Sequence, residues 1–75
     1  MEKLKLLNGF VIEAKDAYAK GDLKTASEYW TKIYNACESN NMDDFKALAL
    51  AMRPFTDQEV YDITDFLKRE FGYYG

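Results

Sequence analysis

Most of the chemistry this sequence could offer lies in its acid side chains. Two close pairs stand out: Asp43 beside Asp44, and Asp62 with Asp65 about one helical turn apart. Paired carboxylates can hold a divalent cation or divide acid and base work between them. A cation site needs about six oxygens or more, and no further carboxylates are spaced to converge on either pair. The simpler reading is electrostatic, with Asp43 and Asp44 at a helix start and Asp62 and Asp65 on a solvated face. There is no histidine, which removes imidazole bases, Ser–His and Cys–His pairs and His-ligated metals. Cys37 is the single cysteine, so no internal disulfide is expected. Its place on a stripe with Trp30 and Ile33 fits a small core residue better than a reactive thiol. The glycines at 9, 21, 72 and 75 are isolated and form no phosphate-cradling loop. No enzymatic activity, metal or cofactor is expected.

Charge narrows the partners. Residues 1–37 carry six lysines against five acids, whereas residues 38–75 carry eight acids against Lys46, Arg53, Lys68 and Arg69. No clustered basic stripe exists to release phosphate counterions, so direct nucleic-acid binding is disfavoured. The opening MEKLKLL is interrupted by Asn8, Glu13 and Lys15, too early for a signal peptide, and no stretch approaches the roughly 18 apolar residues of a membrane span. A cytoplasmic protein without membrane contact is expected.

The elements that must carry these residues are helices. Leu4, Leu7, Val11, Ala14 and Tyr18 recur at helical spacing, predicting a first helix over about 2–20 that Gly21 ends. Gly9 falls inside it, where glycine costs about 1 kcal/mol against alanine, and either close approach of another helix or simple tolerance would account for it. Asp22 caps a second helix over about 23–38, with Leu23, Ala26, Trp30, Ile33 and Cys37 on its stripe. A two-residue connection makes these two an antiparallel hairpin. Asn41 caps a third helix over about 42–52, with Phe45, Leu48, Ala49 and Met52 as its inner face. That helix is apolar nearly all round and is expected to be covered, and Pro54 stops it. Thr56 and Glu59 make a capping box for a fourth helix over about 57–71, with Phe55 and Val60 in the staple positions and Gly72 as the stop. The chain of 75 residues is therefore expected to be one all-α domain, 1–75, a compact bundle of four short helices.

Residues 6–39 resemble a single tetratricopeptide repeat. The likeness rests on Ala14, the Gly21-Asp22 turn, and Ala26 followed by Trp30 four residues later. Phe10, Ala17 and Glu38 stand where the family has Trp, Tyr and Pro, and the pattern does not continue at Leu48, Val60 and Thr64. The resemblance implies hairpin geometry and binding to proteins. It carries over no binding residues, because a lone repeat lacks the stacked groove.

Twelve aromatic residues are many for this length, and a core this small does not need all of them. Tyr61, Phe66, Tyr73 and Tyr74 are expected to form a protein-contact edge on the fourth helix and tail, bordered by Asp62 and Asp65. The function expected is a non-enzymatic protein-interaction module: a small regulator, adaptor or inhibitor. Size and apolar content also fit a homodimer. The alternatives are an acidic nucleic-acid mimic blocking a basic groove, and a structural subunit of a larger bacterial or viral assembly.

Overall fold

Each internal helix begins where the sequence supplies a side-chain cap. In the computed structural model, which describes residues 2–38 and 40–72, α1 runs Glu2–Ala19, α2 Leu23–Asn35, α3 Met42–Ala51 and α4 Asp57–Phe71. No strand occurs among the described residues. Asp22 accepts the Thr25 N–H at 3.1 Å, and Asn41 accepts from both Asp43 and Asp44. Thr56 and Glu59 form the complete reciprocal box. These contacts satisfy donors that a helix start leaves without partners. Gly21 and Gly72 take positive φ, 77° and 72°, a region that other residues enter only with strain.

The four-helix reading holds, with one shifted end. α2 stops at Asn35 rather than near residue 38. The Lys3 ammonium of α1 donates to the Ala36 carbonyl, and the Glu38 N–H turns to the Asp44 carboxylate at 2.9 Å. Tertiary acceptors and donors thus replace the last helical turn, and Cys37 lies beyond the helix rather than on its stripe.

α1 packs against both α2 and α3, and α4 packs on α2. α1 and α2 are antiparallel, with Lys3 at Ala36 and Phe10 beside Tyr29, ring centroids 6.2 Å apart. Ala14 and Ala26 are fully buried, and small side chains there let the helices approach. α3 runs parallel to α1: Lys3 meets Asp44 near its start, and Lys15 donates to the Pro54 carbonyl just past its end. Leu7, Val11, Trp30, Ile33, Ile63 and Leu67 fill the core. Trp30 lies edge-on to Phe55 at 5.2 Å, and Lys15 lies over the Phe55 ring. The staple residue therefore joins the central aromatic group instead of merely fixing the entry to α4.

Two sequence expectations about α3 fail, its inner face and its being covered. α3 is rotated by one residue, about 100°, from its expected face: Asp44, Ala47 and Ala51 are buried, while Phe45 and Ala49 are exposed. Alanines at 47 and 51 permit close packing on α1, and Lys3 and Glu38 hold Asp44 inward. The helix is not covered, because α1 takes only its inner side. Gly9 needs no close neighbour, since a Cβ built there would meet nothing within 4 Å.

Candidate functional site

Of the carboxylates that could do chemistry, Asp44, Asp62 and Asp65 are held in structural pairings. Asp62 accepts from the Tyr18 hydroxyl across the α1–α4 contact and from Gln58 Nε2 at 2.8 Å. That bond holds the Tyr18 hydroxyl above the ordinary tyrosine range, with burial and the Asp62 charge adding to it. Asp65 is bound to Arg69 Nε at 3.0 Å, one turn on. Asp62 and Asp65 thus have separate partners and share no open site between them. Among the described residues, no three carboxylates or thiols converge as metal ligands.

Asp43 and Asp44 have different roles. Asp43 is exposed in the first turn of α3, as its position suggests. Asp44 is only 6% exposed, accepts the Glu38 N–H and lies 3.5 Å from Lys3 Nζ. It clasps the start of α1 to the α2–α3 turn. The signal for this was in the spacing: counting back from Ala51 through Ala47 at helical steps reaches Asp44 on the inner face. Cys37 beside it is half-buried. Burial pushes its thiol up, and the Asp44 charge pushes it further. A thiol held protonated is a poor nucleophile.

A groove of about 310 Å³ lies between α2 and α4, lined by Ser27, Glu28, Thr31, Lys32, Leu67 and Phe71. Its two hydroxyls already donate to helix carbonyls, Ser27 to Lys24 at 2.8 Å and Thr31 to Ser27 at 3.0 Å. Neither is arranged as an activated nucleophile, which would need a base at its hydroxyl.

Of the aromatic edge expected on α4 and the tail, the two described members, Tyr61 and Phe66, do not share a face. Tyr61 is 63% exposed. Phe66 is half-buried and packs on Phe71, centroids 6.2 Å apart. Five residues along a helix turn it by about 140°, so Tyr61 and Phe66 face different ways. Tyr61 is left among Gln58, Asp62, Asp65 and Lys68, a polar surround. Tyr73 and Tyr74 lie outside the described residues.

A denser apolar surface appears on α3. Met42, Phe45 and Leu50 are exposed by 67%, 64% and 41%, all on a helix of ten residues. Met42, Phe45 and Ala49 follow one another at i, i+3 and i+7, so their side chains adjoin on the side away from α1. Asp43 and Lys46 border them. Sequence reasoning missed this surface by assigning Phe45 and Ala49 to the core. Met42 and Phe45, two large apolar side chains adjoining on one face, mark a contact surface better than scattered exposure does, while Leu50 faces about 140° from Phe45. No family model, no curated protein and no solved structure matches the chain.

Proposed function

We propose that this chain is a non-enzymatic protein-interaction module, a small cytoplasmic regulator, adaptor or inhibitor that contacts its partner through the outer face of α3. The observation that carries the reading is the exposure of Met42 and Phe45 side by side on one face of that helix. Exposed apolar side chains give up water when a partner covers them, at about 25 cal/mol for each Å² removed. Aromatic and methionine side chains are favoured at the centres of such contacts. The repeat-like α1–α2 hairpin supports the same class of function, as a rigid base that presents α3. A structural subunit of a larger assembly would use the surface in the same way. The acidic-mimic alternative draws less support, because Asp44 is buried and Glu59 and Asp65 are paired with cations.

Affinity capture from the native cell tests the reading with three baits: wild type, Phe45→Ser and Tyr61→Ser. Proteins retained by wild type should be lost from the Phe45→Ser bait and kept by the Tyr61→Ser bait. Equal capture by wild type and Phe45→Ser would refute the α3 surface. Loss on Tyr61→Ser alone would move the contact to α4.

A further inference from the structure

We propose that the outer face of α3 is self-complementary and docks a second copy of this chain, the two α3 helices antiparallel about a two-fold axis beside Phe45. The inference rests on the reading of α3 as a contact surface and names its occupant.

Geometry and charge point to the same arrangement. Met42, Phe45 and Ala49 form the apolar strip, with Phe45 towards one edge. Successive side chains step round the helix by about 100°, which places Asp43 and Lys46 together towards the opposite edge. Both are exposed. Among the described residues neither side chain has an ion-pair partner, the four pairs being Lys3–Asp44, Lys15–Glu59, Lys20–Asp16 and Arg69–Asp65. A two-fold axis perpendicular to an antiparallel pair keeps each edge on its own side and reverses the chain direction. With that axis level with Phe45, the two Phe45 rings meet on one edge. Met42 of each copy lies against Ala49 of the other. On the other edge Asp43 of each copy faces Lys46 of the other, so the charge pairing is made twice. Antiparallel docking also sets each helix's positive end beside the other's negative end. A parallel arrangement, with its two-fold along the helices, would instead set the Asp43 and Lys46 edge of each copy against the Phe45 edge of the other, and no charge pairing would form.

The area sets the strength. One ten-residue helix on another covers roughly half of the about 1,200 Å² that a stable interface needs. The dimer is accordingly weak, with a dissociation constant on the order of 100 µM, and it forms where the local concentration of the chain is high.

Sedimentation equilibrium of the full chain from about 10 µM to 1 mM tests this, with circular dichroism confirming that each variant stays helical. The average mass of wild type should rise from 8.7 kDa towards twice that value. Phe45→Ser should weaken association about tenfold or more. Asp43→Lys and Lys46→Asp should each weaken it about tenfold, because each puts like charges at both contacts. An equimolar mixture of those two variants should associate again, since each then meets its opposite in the other chain. A monomeric wild type at 1 mM would overturn the proposal. So would undiminished association of Phe45→Ser, or a mixture no stronger than its components. If wild type is monomeric while Phe45→Ser still loses the captured protein, the second-copy inference falls and the contact-surface reading stands. If capture is unchanged as well, both fall.

Discussion

Lys15 Nζ lies 2.8 Å from Glu59 Oε1, the same oxygen that accepts the Thr56 N–H at 2.8 Å. A cation from α1 therefore completes the cap of α4, and a local sequence motif becomes a joint between two helices distant in the chain. Lys15 also donates to the Pro54 carbonyl and lies over the Phe55 ring, so one side chain fixes the whole turn from Pro54 to Glu59. With side chains 34% and 12% exposed, the pair is better shielded than an ordinary surface bridge. A double-mutant cycle on Lys15→Met and Glu59→Gln should give a coupling of about 1 kcal/mol in urea unfolding. Additive losses would show that the joint contributes nothing beyond its separate parts.

The same joint sets an acid response. Burial pushes the Glu59 carboxyl up, but its bonds from Lys15 and Thr56 outweigh that and hold it below the ordinary glutamate range. The unfolded chain therefore takes up this proton first as pH falls. The stabilisation is complete above about pH 4.3, the ordinary glutamate value, and is lost as pH drops through the lower folded value. Thermal midpoints from pH 6 to pH 2 should fall more steeply for wild type than for Glu59→Gln. Parallel curves would contradict this.

Gly9 is exposed on α1 with open space where a Cβ would stand. Gly9→Ala should raise stability by about 0.5–1 kcal/mol, the difference between glycine and alanine within a helix. A lower midpoint in denaturant would mean that some neighbour does approach this position.

Asp44 carries the opposite expectation. Asp44→Ala removes the acceptor of the Glu38 N–H and the partner of Lys3, and should cost about 2 kcal/mol. Hydrogen exchange should then quicken first around residues 36–42. A loss below about 0.5 kcal/mol would show that the α2–α3 turn is held by packing alone.

The helices were legible in the sequence because caps and stops are local. Asp22, Asn41, Thr56 with Glu59, Gly21 and Gly72 each act within a few residues, and the helix starts fell where those residues placed them. Trp30 was legible as core because its stripe was unambiguous. α3 was harder, since a helix apolar on nearly every side has no face that periodicity can single out. Its rotation is decided by Lys3, some forty residues away, and by the small side chains of Ala47 and Ala51. The end of α2 was hidden for the same reason, being set by contacts from α1 and α3. The contact surface followed that error, as Phe45 was counted inside when it lies outside.

The measurement that reaches the central claim most directly is the concentration dependence of backbone amide shifts in the ¹⁵N-labelled chain, followed from about 20 µM to 1 mM by adding unlabelled protein. Shifts should move together and saturably at Met42, Phe45, Lys46 and Ala49, with α4 still. Movement confined to Gln58, Tyr61, Asp65 and Lys68, or no movement at any residue by 1 mM, would contradict an α3 surface that binds its own copy.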